Sequence, residues 1–188
     1  MMTDEPPFLT GRLLLALPGM EDERFREAAI VMATHDEEGA IGIGIGKTHP
    51  EISVRDLVAQ FGLETDDTPD APVHIGGPVE PGRGFVLHSD DWGGQDTIRI
   101  ADLCSLTGTT DVLRAIGEGR GPKQFIVALG YAGWSGGQLE DEMTRHGWFV
   151  ADGERDILFK EKPANRWAAA YRSAGVDPAL LSPDSGAA

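Results

Sequence analysis

Residues 39–47 read Gly-Ala-Ile-Gly-Ile-Gly-Ile-Gly-Lys. Ile41, Ile43 and Ile45 alternate with Gly42, Gly44 and Gly46 at the two-residue period of a β-strand. One face of such a strand carries no side chains, so a bulky ring or another backbone must lie flat against it. The segment therefore demands a closely packed sheet. It also ends in Gly46-Lys47-Thr48, the tail of a phosphate-binding loop. That loop needs G-x-x-x-x-G-K-[ST], with its first glycine at position 41, followed by a helix N-terminus. Position 41 is Ile, and Thr48-His49-Pro50 stands where the helix would begin. Packing is the better account of these glycines.

The rest of the chain alternates between strand and helix signals. Gly11 to Leu17 is a short apolar run stopped by Pro18-Gly19, and Ala28 to Thr34 is another. A charged stretch, Glu21 to Glu27, lies between them and holds one helical turn around Phe25. Val54, Leu57, Val58 and Phe61 form a helical stripe with Ser53 as N-cap. Val73 to Ile75 and Phe85 to His88 are extended runs flanking a turn-rich GGPVEPGRG segment, and two short runs follow at 98–101 and 103–106. Thr109 or Thr110 caps a helix bearing Val112, Leu113 and Ile116. Phe125 to Leu129 is a continuous apolar run, the mark of a central strand. A helix is predicted from Gln138 to His146, then paired strands at Trp148 to Val150 and Ile157 to Phe159 around Asp152-Gly153, then a helix bearing Trp167 and Tyr171. Together these predict an α/β (α+β) protein: one compact domain over 9–175 with a mixed, coiled β-sheet flanked by helices, a flexible start over 1–8 and a flexible tail over 176–188.

The formal net charge is −15, from 16 basic and 31 acidic residues. Nucleic-acid affinity rests on Lys and Arg neutralising phosphates, so direct DNA contact is disfavoured, as is an anionic membrane surface. There is no basic, apolar leader and no apolar run long enough to span a bilayer, which predicts a cytoplasmic protein. Cys104 is the only cysteine, so no intrachain disulfide can form.

Two patterns could carry chemistry. Gly133-Trp134-Ser135-Gly136-Gly137 fits G-x-S-x-G, the nucleophile elbow of hydrolases, with a strand before it and a helix after. Ser135 would then need a base. His146 lies on the helix that follows, whereas His88 could approach in space. The competing account is a strand-to-helix turn in which Ser135 caps the helix. The five histidines, His35, His49, His74, His88 and His146, form no metal-binding spacing. His74 and His88 lie in or beside predicted strands and read as structural. Cys104 sits in an apolar run with no adjacent cation and reads as a small buried hydrophobe.

In their order and spacing, several segments together resemble the YqgE/AlgH family of bacterial proteins. They are Gly11 to Pro18 with Met20, Asp22 and Phe25; Gly39 to Gly42; Gly76-Gly77-Pro78-Val79; Arg83 to His88; Leu129-Gly130-Tyr131-Ala132-Gly133-Trp134; and Gly137 to Glu140 with Glu142. Thr34-His35-Asp36 departs from the family's Glu-His-Asn, and Gly46-Lys47-Thr48 from its Asn-Lys-Pro. The family pattern does not require serine at position 135. The resemblance implies a compact α/β fold with a strongly coiled mixed sheet. It implies no established enzyme activity. Its members are commonly labelled transcriptional regulators, although this chain has no helix-turn-helix signature and no basic face.

The favoured reading is therefore a non-enzymatic regulatory or adaptor protein, monomeric or weakly dimeric, with no cofactor and no metal. It would regulate transcription indirectly, through a protein partner or a small ligand. The binding groove is predicted along Gly76, Gly77, Pro78, Arg83, Gly84, Phe85, His88, Gly130, Tyr131, Gly133, Trp134 and Gln138, with Arg83 as its cation or else in an internal salt bridge. The alternative is a serine hydrolase using Ser135 and His88.

Overall fold

The computed structural model describes residues 8–63, 65–108, 110–145 and 147–181. The strands are β1 (Leu13–Ala16), β2 (Ala29–Asp36), β3 (Gly39–Gly44), β4 (Thr48–Ser53), β5 (Pro72–Ile75), β6 (Val79–His88), β7 (Ile98–Ile100), β8 (Cys104–Thr107), β9 (Phe125–Ser135) and β10 (Trp148–Ala151). The α-helices are α1 (Val54–Gln60), α2 (Thr110–Gly117), α3 (Gln138–Thr144), α4 (Arg155–Phe159) and α5 (Arg166–Ser173). All ten strands join one sheet in the order β10-β1-β2-β3-β9-β6-β8-β7, with β5 added to β9 and β4 to β5. The β5–β9 pair is parallel and the other ladders are antiparallel, so the sheet is mixed.

The burial pattern shows how the sheet coils. Leu13 and Leu15 of β1, Val31 of β2, Ile43 of β3, Leu87 of β6 and Ile126 of β9 share one inner core with Ile157 and Leu158 of α4 and Tyr171 of α5. The alternate residues Leu14, Ile30 and Met32 face the other way and pack with Leu139 of α3. At the far end of the sheet Val73, Val86 and Val127 pack outward against α1 and α2. The strand period of two thus supplies two separately covered faces. The Tyr171 hydroxyl and the Trp167 indole both donate to the Ala16 carbonyl, at 2.9 and 2.8 Å, tying α5 to β1.

The glycines of β3 are a packing device. A Cβ at Gly42 would meet Ile30, Met32 and the Trp134 ring, and one at Gly44 would lie 2.7 Å from the Ile75 carbonyl oxygen. A ring covers one glycine and a backbone the next. Ser53 caps α1 in a reciprocal capping box with Asp56.

Three expectations need correction. Ile157 to Phe159 is not a strand paired with Trp148 to Val150. Its backbone amides bond back to Glu154 and it forms α4, while β10 pairs with β1 instead. The Arg155 guanidinium donates to the Leu103 and Asp102 carbonyls, which fixes where the chain leaves the sheet. Second, neither Gly130 to Trp134 nor Val79 to Gly84 is a turn: β9 continues through the first to Ser135, and β6 spans the second. Third, Ser135 does not cap α3. Gly137 holds that position at φ 80° without a side-chain cap bond.

Helix α2 begins at Thr110; Thr109 and His146 lie outside the described residues. Of the predicted tail, Pro178–Leu180 forms a 3-10 turn, and Val176 and Leu181 pack on the inner core. Positions 182–188 lie outside the described residues, as do 1–7.

Candidate functional site

Strand β9 organises the surface on which a site could be built. In its first half Ile126 and Ala128 face the inner core, and Val127 and Leu129 face outward toward α1 and α2. Tyr131 faces inward again, so the pattern slips by one residue at Gly130, whose φ is +78°. Beyond the slip Ala132 and Trp134 are the outward residues, now on the face covered by α3. On its β5/β3 edge, the first half of β9 pairs with β5 and the second half with β3. The sheet forks there, and a cavity of about 300 Å³ opens at the fork.

That cavity is lined by Gly44 at the end of β3 and Gly46 beyond it, Ile75 at the end of β5 and Gly76 to Pro78 beyond it, Ala28 to Ile30 at the start of β2, and Glu23, Arg24, Phe25 and Lys47 at its mouth. The two glycine runs meet inside it: the Gly44 amide donates to the Gly76 carbonyl at 2.7 Å. Arg24 forks onto Asp22 through Nε and Nη2, at 3.0 and 2.7 Å, and holds the Asp22 carboxyl below its ordinary value. Lys47 Nζ donates to the Glu23 carbonyl at 3.3 Å.

Arg24, Phe25 and Pro78 also line a neighbouring trench of about 540 Å³, whose far wall is Gly133, Trp134, Gln138, Glu142, Arg145, Gly147 and Trp148. Its floor is a hydrogen-bonded cluster centred on one carboxylate. The Trp134 and Trp148 indoles each donate to Glu142 Oε1 at 3.3 Å, and the Gln138 amide donates to Oε2 at 2.9 Å. Gln138 Oε1 accepts the Ser135 amide at 3.0 Å and its hydroxyl at 3.3 Å. Trp148 packs edge-to-face on both Trp134 and Phe25. A third cavity, of about 260 Å³, lies between α1, α2 and the sheet and is bordered by Gly84 and Phe85.

The twelve predicted groove residues are thus divided among separate places. Gly76, Gly77 and Pro78 line the fork cavity, Pro78, Gly133, Trp134 and Gln138 line the trench, and Gly84 and Phe85 line the third cavity. Arg83, His88, Gly130 and Tyr131 line none of the three. Arg83 pairs with Glu80 at 3.3 Å and lies over the Phe85 ring. Met20, Asp22 and Phe25, which enter the sequence reading through the family resemblance but not as groove residues, form one wall of the trench together with Arg24. Glu142 carried a readable signal: it stands four residues after Gln138 on one helix, which places both on one face.

Ser135 and His88 do not meet. His88 is fully buried and pairs with Phe125, at the opposite end of β9 from Ser135, on the order of 30 Å of extended chain away. Its ring is committed. Nδ1–H donates to the Ser89 carbonyl and Nε2 accepts from Thr107 Oγ1, both at 2.8 Å. His35 lies on β2, two strands from Ser135, and its ring is also engaged. The Leu9 amide donates to Nδ1 at 3.0 Å, leaving Nε2–H for Glu140. Burial pushes the Cys104 thiol up to about 12, so it stays protonated near neutrality. Among the described residues no three His, Cys, Asp or Glu side chains cluster as metal ligands, and no helix is long and apolar enough to cross a membrane.

Comparison with known proteins agrees with this geometry. The model of a family described as AlgH-like matches residues 13–179. A UPF0301 protein of Novosphingobium aromaticivorans is 53% identical over 184 residues, covering 98% of this chain and 99% of its own. One from Rhodospirillum rubrum is 44% identical over 180 residues, covering 95% and 94%. The solution structure of AlgH from Pseudomonas aeruginosa superimposes with a TM-score of 0.76 at 33% identity over 100% of both chains. The crystal structure of a Corynebacterium diphtheriae protein shares the fold, with a TM-score of 0.73 at 22% identity over 97% of this chain and 94% of its own.

Proposed function

The chain belongs to the AlgH-like family, and on that premise we propose that it is a non-enzymatic regulatory or adaptor protein of the cytoplasm that holds a protein partner in the Trp134–Trp148 trench. The observation that carries this reading is the composition and order of the trench walls. Met20, Phe25, Pro78 and Val79 present apolar and aromatic surface over the largely buried Trp134 and Trp148 rings, with Arg24, Arg145 and Asp22 around it. Aromatic residues, Met and Arg are the types enriched where proteins bind one another. The Glu142 hydrogen bonds fix both tryptophans before any partner arrives, which lowers the ordering cost of association.

Regulation of transcription would then be indirect. A surface of net charge −15 is repelled by DNA phosphates. The separation of Ser135 from His88 supports a role without hydrolysis.

Site-specific photo-cross-linking in cells tests the reading. A photoreactive residue at Val79, on the trench wall, should give a discrete adduct with one protein, and Phe25→Ala should weaken it. The same residue at Ile98, on the exposed edge strand β7, should not give that adduct. An identical adduct from both positions, or none from Val79, would refute the trench as the partner site.

A further inference from the structure

The fork cavity has a property that the trench lacks: it is a largely apolar chamber with a lysine at its mouth, beside Glu23 and Arg24, that forms no ion pair among the described residues. Its walls are Ala28, Ala29, Ile30, Ile75 and Pro78, and its floor is the backbone of Gly44, Gly46, Gly76 and Gly77. Lys47 is half-buried. Among the described residues no carboxylate lies within 4 Å of its ammonium, whose single hydrogen bond goes to the Glu23 carbonyl. In a chain with 31 acids and 16 bases, carboxylates are plentiful. Asp22 feels the Lys47 charge, but its two oxygens are already occupied by Arg24. An ammonium at the mouth of an apolar chamber that no ion pair engages can donate to an incoming anion.

We propose that the fork cavity binds a small alkyl carboxylate, with its chain between Ala28 and Ile75 and its carboxylate on Lys47. The size agrees: about 300 Å³ is at the small end of the range of ligand pockets, roughly 300–1,000 Å³. The glycines have a second role in this light. Gly42 and Gly44 are bare because Trp134 and the Ile75 and Gly76 backbone pack on them, whereas a Cβ at Gly46 would meet nothing closer than 3.5 Å. Close packing does not require glycine at 46, and the absence of a side chain there leaves the chamber open beside Lys47. The site extends the reading of the trench as a regulatory surface, because the two share Arg24, Phe25 and Pro78. A ligand seated at the fork would touch the wall a partner grips.

The test is a titration of the purified full chain with sodium octanoate, below its micellar range and at constant ionic strength, followed by amide NMR and calorimetry. Saturable shifts should centre on the amides of Gly44, Gly46, Ile75 and Gly76. Affinity should rise about fourfold per methylene from hexanoate to octanoate, the increment for burying one CH₂. Octanol and octylamine should bind at least about tenfold more weakly, for want of the charge-assisted bond. Lys47→Gln should cost octanoate about tenfold and leave octanol unchanged. Ala28→Phe, which fills the chamber, should remove both. Absence of saturable shifts at the fork amides, equal binding of octylamine, or an unchanged octanoate affinity in Lys47→Gln would overturn the proposal. Failure here with the Val79 cross-link intact would leave the partner site standing, and the reverse result would leave the carboxylate site standing.

Discussion

The two halves of β9 lie in one strand yet were built for different ends. The first, Phe125 to Leu129, is covered on both faces, with the inner core on one side and α1 and α2, over the third cavity, on the other. Its cross-strand neighbours His74 and His88 are buried and bonded within the protein. The second half, Tyr131 to Ser135, borders the open trench. The slip at Gly130 divides them. Because side chains alternate along a strand, one extra residue moves every later side chain to the other face. Without it Gly133 and Ser135, not Trp134, would face α3. The comparison teaches that the trench is made by backbone conformation first and side chains second.

The most direct way to break the division is to remove the slip. Gly130→Val places a β-branched residue at φ +78°, and its Cβ would clash with the Gly77 carbonyl oxygen. Neither strain has an easy escape, since both partners are backbone. The expected loss is about 4 kcal/mol or more, a large part of a typical domain's 5–15 kcal/mol, read from urea unfolding. Gly133→Ala is the control. Its nearest neighbour would be the Tyr131 ring at 3.4 Å, ordinary contact at the tip of a side chain, so less than about 1 kcal/mol should be lost.

The covered half should reveal itself by its pH dependence. His74, opposite Ala128, accepts from Arg166 Nη1 at Nε2, and Arg166 also donates to the Ile45 and Ile157 carbonyls. Burial first, and the Arg166 charge second, push His74 down to about 4 from 6.5. The unfolded chain therefore binds a proton that the folded chain refuses between those values. Stability is complete above about pH 6.5 and falls as pH drops toward 4. The maximum contribution is about 3 kcal/mol, from 1.36 kcal/mol per pKa unit. His74→Gln should flatten the unfolding free energy across pH 6.5–4. A slope unchanged in the variant would show that His74 is not the group responsible.

In the open half the corresponding change is smaller. Trp134→Phe deletes one of three hydrogen bonds to Glu142 and leaves those of Trp148 and Gln138. About 1 kcal/mol should be lost. The Val79 cross-link should weaken more than stability does, because the ring is trench wall as well as packing.

How much of this was legible in the residues follows the same division. Phe125 to Leu129 announces itself because a strand covered on both faces is apolar at every position. Ser53 announces the start of α1 as an N-cap ahead of the helical stripe, and the structure adds Asp56 as its capping-box partner. Glycine is ambiguous by nature, since it serves turns and close packing alike. LGYAGW therefore reads as a turn, when it is a strand whose side-chain alternation slips at Gly130. The apolar run Ile157 to Phe159 was equally mute: three apolar residues fit a strand or a buried helical turn, and the amide bonds back to Glu154, with Arg155 held by Leu103 and Asp102, decide for α4. The site was read in pieces because a groove is a meeting of distant segments. Gly76 to Pro78 and Trp134 were nameable, but nothing local says that Met20 to Phe25 will face them.

Ser135→Ala is the smallest change and the one that sharpens the contrast at its tip. The hydroxyl donates to Gln138 Oε1, which the Ser135 amide already occupies, and the residue is exposed. Losing it should cost less than about 0.5 kcal/mol. A nucleophilic serine needs a base within about 3 Å, and His88 is at the other end of β9 while His35 has both ring nitrogens engaged. A fluorophosphonate probe should therefore fail to label the native chain, and native and Ser135→Ala proteins should give the same Val79 cross-link. Labelling that vanishes in the variant would mean that the open half of β9 carries a reaction after all, with a base recruited on substrate binding.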